Sequence, residues 1–156
     1  MSTGKEDRIL SKNRKARHNY HIGDTCEAGI VLVGTEVKSM RDNHFSIDEA
    51  YAEITHGEVW LQRMRVEPYK HGNQFNHEPV RPRKLLLHRE EIRRLTGKLA
   101  EQGYTLIPLD VHLKKGKVKV TLGLGKGKAH QDKREDIKKR DAKREADRAI
   151  AQARKR

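Results

Sequence analysis

Apolar and polar residues alternate in two neighbouring segments of the C-terminal half. In residues 105–113 the odd positions from 107 to 113 are apolar, and in residues 117–124 the even positions from 118 to 124 are apolar. A period of two is typical of strands with one buried face and one solvent-facing face. Between them stands Lys115-Gly116, and glycine suits a tight turn because it adopts a positive φ without strain. The pattern therefore predicts a β-hairpin.

Shorter runs predict the rest of a sheet. His56-Gly57 separates two of these runs and is a second hairpin signal. The predicted short strands, each rich in β-branched or alternating apolar residues, lie at 29–34, 47–54, 58–66 and 85–87.

Helical periodicity occurs in one segment before the last hairpin. Ile92, Leu95 and Leu99 share one helical face, acidic residues occupy the first turn and a glycine follows the end. These features predict a helix over residues 89–102. A second, short helix is predicted over residues 35–41.

Several short antiparallel strands with one inserted helix indicate a mainly β (α+β) fold. They favour a small, partly open barrel of the oligonucleotide/oligosaccharide-binding (OB) type with accessory helices. An antiparallel α+β sheet without barrel closure is the alternative, because periodicity does not separate the two.

Residues 67–82 are rich in proline, glycine and asparagine, which predicts a long loop. Tyr69 and Phe75 alternate there with cationic side chains. Such a loop suits phosphate contact and base stacking. The alternative, which is equally consistent with the sequence, is a surface loop whose aromatic side chains pack against the barrel.

The formal net charge of +13 is concentrated in two arms. Residues 1–20 carry 6 basic and 2 acidic side chains, and residues 126–156 carry 13 and 6, whereas residues 21–125 have a net charge of only +2. Basic arms usually bind phosphate backbones, although solvated tails that aid solubility are the alternative.

The C-terminal arm has few residues that could form a core. Apart from a thin stripe of alanines, its apolar side chains are Ile137 and Ile150. We expect it to be disordered when free and helical against a polyanion. The predicted division is a flexible N-terminus at 1–12, an OB-like domain at 13–131 and a basic tail at 132–156.

The sequence excludes several classes of protein. Its longest apolar runs are a few residues, far short of the roughly 20 that a membrane span needs. The first 20 residues lack a secretory signal, and the single Cys26 excludes an internal disulfide, so a cytoplasmic protein is expected. Cys26 is predicted to be a core thiol.

Chemical motifs are also missing. The nine histidines form no metal-ligand spacing, no cofactor is expected, and no acid, base or nucleophile cluster argues for catalysis. The glycine-rich residues 123–128 match no nucleotide-binding motif. They are predicted to form a flexible basic strap whose backbone N–H groups reach phosphates.

Six short runs occur in one order and spacing from Asn13 onward. They are Asn13-Arg14-Lys15-Ala16-Arg17-His18, Glu27-Ala28-Gly29-Ile30, Gly34-Thr35-Glu36-Val37-Lys38-Ser39, Arg83-Lys84-Leu85-Leu86-Leu87-His88, Gly125-Lys126-Gly127-Lys128 and Asp132-Lys133-Arg134. Together they resemble the SmpB family, the SsrA-binding proteins.

The resemblance implies an OB-like barrel and a non-enzymatic, monomeric RNA-binding adaptor. Its function would be trans-translation: binding the tRNA-like domain of transfer-messenger RNA (tmRNA, SsrA RNA) and delivering it to stalled ribosomes. The implied partners are tmRNA, the decoding centre and mRNA channel of the ribosome and, through tmRNA, elongation factor Tu and alanyl-tRNA synthetase.

The resemblance also implies site residues. Glu27 matches a carboxylate needed for tmRNA binding, and an acid facing RNA makes sense as a hydrogen-bond acceptor. Leu86 would supply apolar contact, and His88 a hydrogen bond or stacking. Charge alone adds the candidate phosphate contacts Lys38, Arg81, Arg83, Lys84, Lys126 and Lys128.

The tail would occupy the empty mRNA channel as a helix. Its candidate ribosome contacts are His130, Gln131, Asp132, Lys133, Arg134, Ile137, Lys138, Lys139 and Arg140.

Two positions depart from the family pattern. Ala129 replaces a usual lysine, and Gln131 stands where an aromatic residue or histidine is common. The hypothesis that His130 supplies stacking instead requires a local backbone rotation. A ribosomal or ribosome-assembly protein bound to rRNA is the alternative function.

Overall fold

The computed structural model describes residues 7–71, 76–128 and 130–154. Four helices lie in these ranges: α1 (Ala16–Asn19), α2 (Gly34–Arg41), α3 (Arg89–Leu99) and α4 (His130–Arg154). The strands are β1 (Arg8–Lys12), β2 (Tyr20–Ile30), β3 (Phe45–Ser46), β4 (Tyr51–Thr55), β5 (Glu58–Gln62), β6 (Arg65–Val66), β7 (Arg83–Leu86), β8 (Tyr104–Lys114) and β9 (Lys117–Gly127).

The large sheet closes on itself. Its strands follow the order β1-β8-β4-β5-β7-β2-β9, and β8 also pairs with β9. Six strands therefore form an antiparallel ring, and β1 adds to the outside edge of β8. The predicted barrel-like, mainly β fold is confirmed, and the alternative of an unclosed sheet is wrong.

The main core is formed by alternate residues of the ring strands, capped by two helices. Leu61, Leu106 and Val120 are fully buried, and Met40 of α2 and Leu95 of α3 pack into the same cluster. Burying each such side chain contributes about 1.5–3 kcal/mol. Cys26 packs against this core, as predicted.

Both hairpin turns are confirmed by backbone geometry. Lys115 and Gly116 have φ angles of 53° and 79°, and His56 and Gly57 have 52° and 74°. Two successive positive φ values are typical of a type I′ turn, whose twist matches that of the flanking strands.

The glycine-rich end of β9 differs from the predicted flexible strap. A Cβ on Gly125 would lie 2.7 Å from Cδ1 of Ile107, and one on Gly123 would lie 2.8 Å from Cδ1 of Leu109. The strand pairs with β8 through Lys126 and with β2 through Gly127. These glycines therefore leave space for a second apolar cluster, in which Ala16 packs on Ile107 and Leu109.

Several predicted boundaries differ from the structure. The run at 29–34 is mostly a connection, since β2 ends at Ile30 and Val33 precedes α2. The run at 47–54 joins the ladder only from Tyr51. Pairing partners decide these ends, and local composition does not reveal them.

The two basic arms also differ from prediction. Residues 8–12 of the expected flexible N-terminus form β1, because they pair with β8 and Leu10 packs against the core. The tail, expected to be disordered when free, is a continuous helix from His130. Its described side chains are exposed, so helix formers such as Ala142 and Ala146 hold it rather than packing.

Candidate nucleic-acid interface

Strand β2 brings the predicted RNA contacts to one outer face of the ring. Gly29 pairs with Leu86 of β7 on one side and with Lys119 of β9 on the other, and Glu27 pairs with Thr121 of β9. Alternate residues of a strand share a face. We call this surface, comprising Glu27, Gly29, Leu86, His112, Lys114 and Lys119, the Glu27 face.

Gly29 forms a shallow gap in this face. A Cβ at Gly29 would lie 3.4 Å from Cβ of Leu86 and 3.6 Å from Nζ of Lys119, which is ordinary contact. The strand backbone is therefore accessible between an apolar and a cationic side chain. Leu86 itself is 52% exposed.

Glu27 is held by two side chains of β8. Its Oε2 lies 3.0 Å from Nε2 of His112, and Nζ of Lys114 donates to Oε1 at 3.3 Å. The hydrogen bond from His112 lowers the pKa of Glu27, which outweighs the opposing effect of partial burial, and Lys114 lowers it further. The carboxylate is thus ionised and oriented, and it retains free lone pairs for a ligand donor.

His112 is itself fixed from its other side. Its Nδ1 lies 2.7 Å from Oδ1 of Asp110, and the hydroxyl of Thr121 donates to the same oxygen at 3.0 Å. Sequence reasoning did not find His112, Lys114 or Lys119 as site residues. The alternation along β8 and β9 places them on the outer face, but only strand pairing brings them to Glu27.

Lys84 and His88 border the Glu27 face. Lys84 lies two residues before Leu86 on β7, and its Nζ donates to Glu58 at 3.3 Å. His88 is exposed at the N-cap position of α3. The structure therefore brings Glu27, Lys84 and Leu86 together, and their contact with RNA stays a prediction.

Arg83 does not reach the surface, so its predicted phosphate contact is wrong. Its side chain is fully buried, Nε donates to Oε2 of Glu36 at 2.6 Å, and Nη1 donates to the carbonyl of Met64 at 2.7 Å. Burial makes a charged arginine here dependent on its acidic partner.

Arg81 belongs to the same buried cluster. Its Nη2 donates to Oε1 of Glu36 at 2.5 Å, and its Nε donates to Oε2 at 3.2 Å. Burial alone would raise the pKa of Glu36, but the hydrogen bonds from Arg81 and the Val33 N–H, together with Arg83, lower it overall. The structure therefore gives Arg81 an internal partner and does not support its predicted phosphate contact.

The loop after β6 is anchored by His77 and Asn76. Nδ1 of His77 lies 2.8 Å from the hydroxyl of Thr35, and its Nε2 lies 2.9 Å from the carbonyl of Val66. Asn76 bonds both backbone groups of Tyr69. Nζ of Lys38 lies 5.5 Å from the Tyr69 ring centroid, so Lys38 packs on the loop. The predicted role of Phe75 lies outside the described residues.

Lys126 and Lys128 lie at the end of β9, next to the tail. Lys126 is exposed, with Nζ 5.8 Å from the Tyr104 ring centroid, whereas Nζ of Lys128 donates to the carbonyl of Arg17 at 2.7 Å. The structure thus places both lysines between the ring and α4.

Helix α4 carries the predicted ribosome contacts. Arg134, Lys138 and Lys139 are exposed, Ile137 is 45% exposed, and Nη2 of Arg140 lies 3.4 Å from Nδ1 of His18. The backbone of residues 130–133 is helical, but the side chains of His130, Gln131, Asp132 and Lys133 lie outside the described part, as does Ala129. The hypothesis about His130 and Gln131 stays a prediction.

The described part of the chain offers neither a metal site nor a membrane-spanning helix. Within it, no three His, Cys, Asp or Glu side chains form a group that could hold a metal ion. None of its helices is long and apolar enough to span a membrane. Burial, and to a smaller extent Glu91, raises the pKa of the Cys26 thiol, which fits a packing role.

Comparison with known proteins identifies the family. The model of the SmpB protein family matches residues 10–152, which include the ring and nearly all of α4. The chain belongs to the SmpB family. Among the curated proteins, the SsrA-binding protein of Bacillus subtilis (strain 168) is 53% identical over 148 residues, covering 95% of each chain. That of Acetivibrio thermocellus is 55% identical over 145 residues, covering 93% of this chain and 94% of its own.

A solved structure agrees with this assignment. It is described as "tmRNA-SmpB: a journey to the center of the bacterial ribosome", and its matching chain is 44% identical with a TM-score of 0.65. The match covers 81% of this chain and 93% of the SmpB family chain. The predicted family and the OB-like expectation for the fold are therefore confirmed together.

Proposed function

We propose that this chain is an RNA-binding adaptor of trans-translation, which binds the tRNA-like domain of tmRNA and acts with it on stalled ribosomes. The observation that carries the proposal is the family match over residues 10–152, because it spans both the Glu27 face and the helical tail. Relatives covering 95% of the chain are named SsrA-binding proteins.

The Glu27 face supports recognition of particular RNA groups. Residues 21–125 have almost balanced charge, so attraction to phosphate alone would bind RNA weakly there. An oriented, ionised Glu27 accepts a hydrogen bond from a base amine or a 2′-hydroxyl, and Leu86 and Lys119 flank it. We therefore assign the tRNA-like domain of tmRNA to this face.

The tail supports a second contact, with the ribosome. Residues 126–156 carry 13 basic and 6 acidic side chains, and the described side chains of α4 are exposed. An exposed basic helix can enter a channel lined by rRNA, because its positive charge is complementary to the phosphates of the lining. We assign α4 to the empty mRNA channel of the stalled ribosome.

In this proposal the chain is a binding adaptor rather than an enzyme. Because it acts on stalled ribosomes, we assign it to the cytoplasm. We prefer this function to the alternative of a permanently bound ribosomal protein.

The experiment measures the dissociation constant of the full chain for the isolated tRNA-like domain of tmRNA. Glu27→Ala should weaken binding by about tenfold, since a hydrogen bond to a charged group contributes roughly 1.5–3 kcal/mol. The matched control is Glu53→Ala, which removes an equally acidic side chain from β4, where Glu53 accepts a hydrogen bond from Gln62 at 2.9 Å. A similar gain in affinity for both variants would mean that non-specific electrostatics dominate and would overturn the assignment.

Truncation after Lys128 tests the division between ring and tail. The truncated chain should bind the tRNA-like domain within about threefold of the full chain, because few phosphate contacts are lost. In a reconstituted translation system stalled on an mRNA without a stop codon, it should not support peptide tagging. Loss of RNA binding on truncation would contradict the proposed division.

A further inference from the structure

The imidazole of His112 lies between two carboxylates on the Glu27 face. Nδ1 is 2.7 Å from Oδ1 of Asp110, and Nε2 is 3.0 Å from Oε2 of Glu27. Glu27 and His112 are 85 positions apart in the chain. The side chain of His112 is only 16% exposed, so water is largely excluded from this arrangement.

This geometry requires a particular protonation state. Ionised carboxylates only accept hydrogen bonds, and a neutral imidazole has one N–H donor. Only the doubly protonated ring donates to both Asp110 and Glu27. A neutral ring that keeps the shorter contact with Asp110 would turn a lone pair toward Glu27, which would then be held by Lys114 alone.

Charged side chains surround the imidazole on several elements. Asp7 and Arg8 line a groove with it at the β1 side, Glu27 contacts it from β2, Lys119 pairs with it from β9, and Asp110 and Lys114 flank it on β8. Lys117 shares this face, because it pairs with Lys114. The proton on His112 adds one positive charge to this mixed surface, which favours binding of a polyanion.

We propose that His112 is a positioning residue for RNA: its doubly protonated ring orients the Glu27 carboxylate, and RNA binding at the Glu27 face is coupled to that proton. The inference rests on the proposed function, because it needs RNA at this face. Because the coupling involves a proton, it is measured as a change of RNA affinity with pH.

The test is the affinity of the full chain for the tRNA-like domain of tmRNA at pH 6, 7 and 8 and constant ionic strength. Wild-type affinity should fall about three- to tenfold from pH 6 to pH 8, since one linked proton changes affinity by at most tenfold per pH unit. His112→Gln should bind weakly with a flat profile. His112→Lys should also give a flat profile but bind tightly at pH 8, because lysine stays charged and donates to both acids.

The matched control is His56→Asn, which removes a histidine from the β4–β5 hairpin and keeps a residue that tolerates its φ of 52°. It should keep the wild-type pH profile. Nitrogen-15 spectra of the histidine rings provide a second readout, taken on the wild-type chain. The His112 signal, assigned as the one that disappears in His112→Gln, should report a doubly protonated ring in the RNA complex at pH 7.

The outcomes separate the two proposals. If Glu27→Ala does not weaken binding, the proposed face is wrong. If Glu27→Ala weakens binding but His112→Gln keeps the wild-type pH profile, or the ring is neutral in the complex, the face stands and the inference about His112 is overturned.

Discussion

Two glutamates of this chain are each held by two nitrogen-bearing side chains, one in the interior and one on the surface. Glu36 is fully buried between Arg81 and Arg83, whereas Glu27 is 38% exposed and contacts His112 and Lys114. Arginine stays charged and presents several donors, which suits a permanent internal pair. His112 and Lys114 orient the outer carboxylate and leave it partly exposed to solvent, which suits ligand binding.

The buried cluster of Glu36, Arg81 and Arg83 fixes β7, the strand that carries Leu86 of the Glu27 face. Arg83 also donates to the carbonyls of Met64 and Pro79, so Glu36 and Arg83 tie α2, the end of the loop and β7 together. Strand β7 carries Leu86 on its other face. The comparison teaches that similar clusters have different roles according to burial. Removing Glu36 should lower the free energy of unfolding, and removing Glu27 should impair binding.

The largest effect is expected from Glu36→Gln. Loss of this carboxylate leaves Arg83 buried without an anion, which costs about 3–5 kcal/mol of the free energy of unfolding. Urea unfolding followed by the fluorescence of Trp60, the only tryptophan, measures it.

The control for Glu36→Gln is Glu58→Gln, which removes the exposed partner of Lys84. Both side chains of that pair are about half exposed, so its loss should cost less than about 1 kcal/mol. Equal costs for the two variants would abolish the distinction between interior and surface.

Arg81→Met should have an intermediate effect. Glu36 keeps Arg83 and the Val33 N–H, so the loss of hydrogen bonds to a charged group should cost about 1–3 kcal/mol. The slope of log affinity for RNA against log salt concentration should not change. If Arg81 binds a phosphate after all, the slope should become shallower by roughly 0.7–0.9 while stability is retained.

Much of the ring could be predicted from sequence because its strands alternate over local stretches. The same alternation distinguishes two neighbouring cations. Arg83 lies two positions before the buried Leu85 and faces inward with it, whereas Lys84 lies two positions before the exposed Leu86. Charge alone does not make this distinction, so it predicts the wrong environment for Arg83. The buried acid that Arg83 needs, Glu36, lies 47 residues away, so no local pattern links the two.

The surface network could not be predicted for a similar reason. Glu27 contacts His112 across β9, and this contact depends on the register of three strands. The tail differs again, since its alanines and exposed charges fit both a free helix and a disordered segment that folds on binding. Local composition determines helix propensity there, and partners decide its function.

Acid titration should give the smallest effect and separate the two glutamates once more. Both have lowered pKa values in the folded chain, so each contributes stability above its unfolded value of about 4.3, which is lost as the pH falls through the native value. Arg81→Met removes the hydrogen bond that most lowers the pKa of Glu36, and this variant should therefore lose less stability than wild type between pH 6 and pH 3 in urea unfolding.

For Glu27→Gln, solvent screening makes the corresponding contribution small, and its acid curve should stay within about 1 kcal/mol of wild type. A curve for Glu27→Gln as flattened as that of Arg81→Met would mean that the outer carboxylate stabilises the ring as the inner one does. The His112 and Lys114 contacts would then stabilise the folded ring as the Arg81 and Arg83 contacts do, and the contrast between the two glutamates would be lost.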